Sequence, residues 1–501
     1  MVIERDQSND GSPVQSGLPA LDKILDGGFA RSRMHLIEGR PGSGKTTIGF
    51  HFLIEGLRCG ETGLYVTLSE SRAELEFSAR SHGLSLNGVE FCELVPPELS
   101  MDLGMEQSVV YTSELELGET VRLVMEAVTA IAPRRVVFDS LSEIRLLAQN
   151  PLRYRRQVLA LKHFFAQQGC TVLVLDDLTA EDDHVNLHSL AHGVVRMELV
   201  PLTYGADRRQ IRVLKMRARA FIGGFHDYVI RTGGIQLFPR MVAAVSKHVP
   251  VEPEEMASSG LEALDHMTGG GLDRGTSTLI MGPSGIGKST LATQYVDAAL
   301  RRGETALLIT FDESERNFTR RNRGLGFDFA QALAEKRLFF RSIDPAEISP
   351  GEMTEMIREQ VSLGVSVVVL DSLSGYQHAM PEERYLLLQM HELLSYLNSQ
   401  DVLTILTLAQ TGVMGAMSGP IDITYLADAV MLLRFYEAEG EIRRVISMTK
   451  RRTGAHEIAL REMSIGNGGV HVGPQLRDFS GVLTGVPSRV ERDEHVADAA
   501  L

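Results

Sequence analysis

Two short segments of this chain have the residue types and spacing to hold phosphate. Gly39-Arg40-Pro41-Gly42-Ser43-Gly44-Lys45-Thr46, followed by Thr47, and Gly282-Pro283-Ser284-Gly285-Ile286-Gly287-Lys288-Ser289, followed by Thr290, both read GxxxxGK[ST]. Glycines at this spacing let successive backbone N–H groups curl around an anion, and a helix starting at the lysine points its positive end at the same charge. The lysine serves the β- and γ-phosphates, and the next hydroxyl, Thr46 or Ser289, suits Mg²⁺. Each copy also has an apolar run ending in Asp-Ser: Arg135-Val136-Val137-Phe138-Asp139-Ser140 and Val367-Val368-Val369-Leu370-Asp371-Ser372. Asp139 and Asp371 are the expected second metal acids. Hydrolysis further needs a carboxylate near the attacking water. Glu70 follows the next apolar run in the first copy, after Ser69, and Asp312 and Glu313 stand there in the second. The expected ligands are therefore ATP and Mg²⁺.

These loops require a strand before and a helix after, and the chain writes that unit twice. SGLPALDKILDGGFARSRMHLIEGRPGSGKTT from Ser16 and SGLEALDHMTGGGLDRGTSTLIMGPSGIGKST from Ser259 align without a gap, 243 residues apart, the separation of Lys45 from Lys288. Whole-domain duplication is the simplest account. The apolar runs Met34–Ile37, Gly63–Leu68, Val136–Phe138 and Thr171–Leu175 recur as Thr278–Met281, Ala306–Phe311, Val367–Leu370 and Val402–Leu408. Runs of this length, interleaved with amphipathic stretches such as Val158, Leu161 and Phe165, predict α/β domains with mostly parallel sheets flanked by helices. The alternating segments Gln210–Met216 and Arg444–Thr449 predict antiparallel extensions. Expected boundaries are a first domain over 1–247, a Pro- and acid-rich linker over 248–258, a second domain over 259–486 and a polar tail over 487–501.

At 501 residues the chain is too long for one core, and its net charge of −15 argues against a general nucleic-acid coat. The three cysteines, Cys59, Cys92 and Cys170, form no CxxC pair, so neither a disulfide frame nor a zinc site is expected. No signal core and no long apolar span is present in the sequence, which predicts a soluble, cytoplasmic protein without membrane contact.

The doubled SGLxxLD lead-in, the two P-loops, the acids after the next strand and the DS-ended strands together resemble the KaiC family, within the wider RecA/DnaB superfamily. The likeness spans nearly the whole chain and extends to Leu476-Arg477-Asp478-Phe479 and Leu483 to Arg489. It implies two tandem RecA-like P-loop domains, a homo-hexameric double ring, and a KaiB-like regulatory partner. The family's first domain carries two consecutive acids where this chain has Ser69 and Glu70, and its second carries Glu where Asp312 stands. The resemblance also implies cations reaching a neighbour's γ-phosphate: Lys215 and Arg217 in the first domain, Lys450 and Arg452 in the second. The family's phosphorylated Ser-Thr pair falls on Thr424 and Tyr425, so Ser/Thr autokinase activity is implied at Thr424. Two other functions fit the same P-loops. A DNA-dependent motor of the RecA, RadA or DnaB type is opposed by the acidic balance and the missing zinc pair. A nucleotide-stabilised scaffold with little turnover is favoured by Ser69 in the first domain alone. The acidic stretch Glu181-Asp182-Asp183-His184 reads as a solvated loop, and Arg316 to Arg323 as a helix face or subunit contact.

Overall fold

The computed structural model describes residues 12–94, 113–148, 150–178, 184–202, 205–241, 256–344, 346–379, 386–410, 424–484 and 488–489. The chain divides into two compact units, Met1–Arg240 and Met241–Leu501. Unit 1 contains β1 (Met34–Gly39), β2 (Gly63–Thr67), β3 (Glu90–Glu93), β4 (Arg135–Asp139), β5 (Thr171–Asp177), β6 (Gly193–Val200), β7 (Arg208–Met216), β8 (Phe225–Arg231) and β9 (Gly234–Phe238). They form one nine-stranded sheet in the order β3-β2-β4-β5-β1-β6-β7-β8-β9. Pairing is parallel from β3 through β6 and antiparallel from there to β9.

Unit 2 opens with a short antiparallel pair, β10 (Met256–Ala257) and β11 (Leu272–Asp273). It continues with β12 (Ser277–Gly282), β13 (Ala306–Thr310), β14 (Leu338–Ser342), β15 (Val367–Asp371), β16 (Leu403–Ala409), β17 (Ala429–Ala438), β18 (Glu441–Arg451), β19 (Arg461–Gly466) and β20 (Gly469–Gln475). The sheet order, β14-β13-β15-β16-β12-β17-β18-β19-β20, repeats that of unit 1 strand for strand. Even the small opening pair recurs: Ala257 faces Leu272, and Val14 bridges Phe29 at the same spacing. Both units are thus RecA-like α/β domains, and the antiparallel extensions fall where the alternating segments β7 and β18 predict them.

The central strands are buried along their length, because helices cover both faces. Unit 1 has one core cluster on each side of its sheet. Ile37, Phe50, Tyr65 and Leu173 belong to one, and Leu36, Leu64, Val158, Leu161 and Phe165 to the other. Alternate residues of one strand go to opposite faces. The SGLxxLD lead-in is a turn with its own cap. Ser16 N–H donates to Asp22 Oδ1 at 2.8 Å, and Ser259 N–H to Asp265 Oδ1 at 2.7 Å. Gly17 sits at φ +83°, and a Cβ there would meet the His51 carbonyl oxygen at 2.5 Å.

Residues 248–255 of the expected linker lie outside the described residues, while Met256 and Ala257 form β10. Ser488–Arg489, in the expected tail, pair antiparallel with Phe479–Ser480. Glu181, Asp182 and Asp183 lie outside the described residues. Arg316 to Arg323 fall on a helix, Glu315–Gly324, that buries Phe318 and Asn322. Among the described residues no helix is long and apolar enough to cross a membrane.

Candidate nucleotide sites

Each P-loop leaves the C-terminal end of a central strand, β1 or β12, and enters a helix, Lys45–Arg58 or Lys288–Arg301. The N-cap glycines take the left-handed conformation, Gly44 at φ +93° and Gly287 at φ +111°. A Cβ on Gly44 would lie 2.6 Å from Ile230 Cδ1, and one on Gly287 would collide with Ile465 Cδ1. At Gly42 and Gly285, also left-handed, a Cβ would meet nothing within 4 Å among the described residues, which leave the loop open on that side. Pro41 and Ser284 lie on that open turn, whereas Ser43, Thr47, Ile286 and Thr290 are buried beneath it. Both lysines are buried and donate to their own loop. Lys45 Nζ reaches the Gly39 and Arg40 carbonyls at 2.9 and 3.2 Å, and Lys288 Nζ the Gly282 and Pro283 carbonyls at 3.0 and 2.9 Å. Burial lowers the pKa of Lys288, against the opposing charges of Asp371 and Asp312.

The two DS-ended strands put their aspartates beside the P-loop hydroxyls. Thr46 Oγ1 donates to Asp139 Oδ2 at 3.4 Å, and Tyr65 Oη to the same oxygen at 2.6 Å. Asp371 is hydrogen-bonded by the Ser289 side chain, and its Oδ1 accepts from Thr407 Oγ1. Burial pushes both carboxyls above the usual aspartate range. A buried carboxyl beside a hydroxyl, at the start of the P-loop helix, offers hard oxygen donors of the kind a divalent cation takes. The residues present therefore fit a magnesium–nucleotide ligand.

The neighbouring acids differ between units. Glu70 is exposed, yet burial of its carboxyl, then the charges of Asp139 and Glu74, raise its pKa. In unit 2, Glu313 is held by a two-pronged pair with Arg321, Nε to Oε1 at 3.0 Å and Nη2 to Oε2 at 2.9 Å. Asp312 instead accepts from Thr310 Oγ1 at 3.2 Å and lies in the field of Lys288 and Asp371.

The expected trans cations clasp the backbone just before the antiparallel half, at the end of the helix His184–Leu190 in unit 1 and at the turn 424–427 in unit 2. Lys215 Nζ donates to the His188 and Ala191 carbonyls, and Arg217 Nη2 to the Ser189 carbonyl at 2.8 Å. Lys450 Nζ donates to the Thr424 and Ala427 carbonyls at 2.8 and 2.7 Å, and Arg452 Nη2 to the Tyr425 carbonyl at 2.8 Å. Tyr425 is exposed and Thr424 half-buried.

Sequence reasoning missed two ionic contacts. Lys45 Nζ pairs with Asp177 Oδ1 at 2.6 Å, at the end of β5. Glu38, immediately before the first P-loop and 1 % exposed, is paired with Arg196 and His188 at 2.7 and 2.8 Å. The one local signal was the pair of acids closing the run Thr171–Asp177, where β16 ends in Leu408 and Ala409.

Comparison with known proteins covers both units. A family model described as the KaiC ATPase matches residues 14–242 and again 257–477. The circadian clock protein KaiC3 of Synechocystis sp. is 27% identical over 497 residues, covering 98% of this chain and 97% of that one. The circadian clock oscillator protein KaiC of Picosynechococcus sp. is 26% identical over 489 residues, covering 96% and 93%. The same protein of Synechococcus elongatus is 25% identical over 489 residues, again covering 96% and 93%. With each P-loop domain matched separately and relatives aligned over almost their whole length, this chain belongs to the KaiC family of ATPases.

Proposed function

We propose that this KaiC-family ATPase works as a Mg·ATP-dependent homo-hexameric double ring whose second unit also phosphorylates its own Thr424. Thr46 with Asp139, and Ser289 with Asp371, would hold Mg²⁺, which when bound neutralises phosphate charge. The observation that carries the reading is the clasp around residues 424–428. Lys450 and Arg452, the cations expected to meet a neighbour's γ-phosphate, hold the backbone of the loop that bears the candidate acceptor. Bringing those cations to a neighbouring phosphate brings Thr424 along, which is the proximity phosphoryl transfer requires. In that step Thr424 Oγ1 forms the new P–O bond, the bond to ADP breaks, and Asp312 takes the hydroxyl proton. Tyr425, with a longer arm, would need another pose. Hydrolysis in unit 1 would fall to Glu70 alone. The relatives' clock names support a signalling role read by a partner of KaiB type in one nucleotide or phosphorylation state.

Peptide mass spectrometry after incubation with Mg·ATP tests this. The expected result is a phosphoryl adduct on Thr424 that is absent in Lys288→Ala and in Thr424→Ala. ADP formation without any adduct would remove the autokinase from the account and leave the ATPase standing.

A further inference from the structure

The first P-loop lysine is paired with an acid that the second lacks. In β5 and β1, Asp177 lies opposite Gly39; in β16 and β12, Ala409 lies opposite Gly282. Equivalent positions beside the two P-loops thus carry a carboxylate and a methyl. The carboxylate is used: Asp177 Oδ1 is 2.6 Å from Lys45 Nζ, with the lysine side chain 9% and the aspartate 31% exposed. Its backbone is pinned, because Asp177 N–H donates to Ser142 Oγ at 3.1 Å, and that hydroxyl donates to the buried Asp176 at 2.9 Å. The charge of Asp177 also reaches Asp139, adding to the upward push on that carboxyl. Asp177 thus stands between the lysine and the acid that flank the phosphate site, where a third phosphate's charge has to be accommodated.

We propose that Asp177 is a specificity-determining residue that acts as an internal substitute for the γ-phosphate and biases unit 1 toward ADP. This rests on the reading that unit 1 binds adenine nucleotides. To bind ATP, Lys45 exchanges a carboxylate for the γ-phosphate, and the displaced carboxylate stays nearby as a like charge. ADP brings no γ-phosphate and is penalised less. At that register position unit 2 carries Ala409, and among its described residues no carboxylate forms an ion pair with Lys288, which feels Asp371 and Asp312 only through their charge. A unit 1 that retains ADP matches its Ser69, which removes one of two carboxylates from the water side of the same site.

The test measures equilibrium binding of ATPγS and ADP, each with Mg²⁺, to the full chain carrying Lys288→Ala, so that only the first P-loop lysine is intact. Adding Asp177→Asn, nearly isosteric, is expected to raise the ATPγS-to-ADP affinity ratio by about tenfold. The reciprocal variant, Ala409→Asp in a Lys45→Ala chain, is expected to lower that ratio in unit 2 by a similar factor. An unchanged ratio in Asp177→Asn overturns the proposal. So does an unchanged ratio with slower turnover, which would make Asp177 a water-activating base. Absence of any binding to the Lys288→Ala chain would instead overturn the unit 1 nucleotide site itself.

Discussion

Adjacent carboxylates can be chemically unequal, and Asp312 and Glu313 are the case here. Both oxygens of Glu313 are committed to Arg321, so its lone pairs point at a guanidinium and away from any incoming water. Asp312 accepts one hydroxyl and otherwise lies in the field of Lys288 and Asp371. A general base typically contributes about 10²–10⁴-fold. In a Lys45→Ala chain, where only the second site works, Asp312→Asn is expected to lower phosphate release by roughly that factor. Glu313→Gln should cost at most about tenfold. Steady-state phosphate release by the two variants decides it, and a larger loss in Glu313→Gln would reverse the assignment. The P-loops and the two DS-ended strands were legible because each is a contiguous string whose chemistry is fixed by local spacing. The resemblance already pointed to Asp312 as the base, but the capture of Glu313 was not legible, since it depends on Arg321, eight residues on and two turns along a helix. Asp177 escaped for a similar reason: its partner is set by the register of β5 on β1, which no local pattern prints.

Elements were legible where burial on both faces makes a strand uniformly apolar, as in β1, β2, β4, β5 and their counterparts. The edge strand β3 and the antiparallel β8 and β9 carry mixed patterns, because solvent or a polar neighbour takes one face, and they were not anticipated. Arg135 shows a different failure. A charged residue opening an apolar run reads as its solvated flank, yet Arg135 is 2% exposed. Its guanidinium pairs with Glu61, donates to the Gln15 and Phe52 carbonyls at 2.7 and 2.8 Å, and lies over the Phe52 ring. It therefore ties the lead-in turn, the P-loop helix and β4 into one body. The second unit meets the same need with Val367 in the strand and Arg274 and Arg302 on Glu304. Truncating a buried, hydrogen-bonded ion leaves its partners unpaired, at a cost of about 3–5 kcal/mol. Arg135→Ala is expected to destabilise unit 1 by that amount in denaturant unfolding, whereas a loss below about 1 kcal/mol would show that water replaces the guanidinium.

Across the whole molecule, duplication kept the topology and let the buried polar groups diverge. Unit 1 buries Glu38 with Arg196 and His188, and it places His35 on β1, fully buried, with Nδ1 lacking a partner among the described residues. The corresponding position in β12 is Thr278. Burial, with the nearby charges of His192 and Arg33, lowers His35 to about 4, against the weaker pull of the Ala30 carbonyl. Burial also lowers His51 to about 4, and its Nε2 must stay unprotonated to accept the Ile235 N–H at 3.1 Å. A histidine whose folded pKa lies below its unfolded value takes up its proton on unfolding first. Its stabilising contribution is complete above about pH 6.5 and is lost as pH falls toward 4. At pH 5, His35 alone removes on the order of 2 kcal/mol. Unit 1 should therefore be the acid-labile half. Hydrogen exchange followed by mass spectrometry at pH 7.5 and pH 5, corrected for intrinsic rates, is expected to show peptides spanning 34–58 losing protection ahead of those spanning 277–301. His35→Thr, which installs the residue of the second unit, should close about half of that gap, with His51 accounting for the rest. Equal losses in the two P-loop helices would place the acid sensitivity elsewhere than in these buried imidazoles.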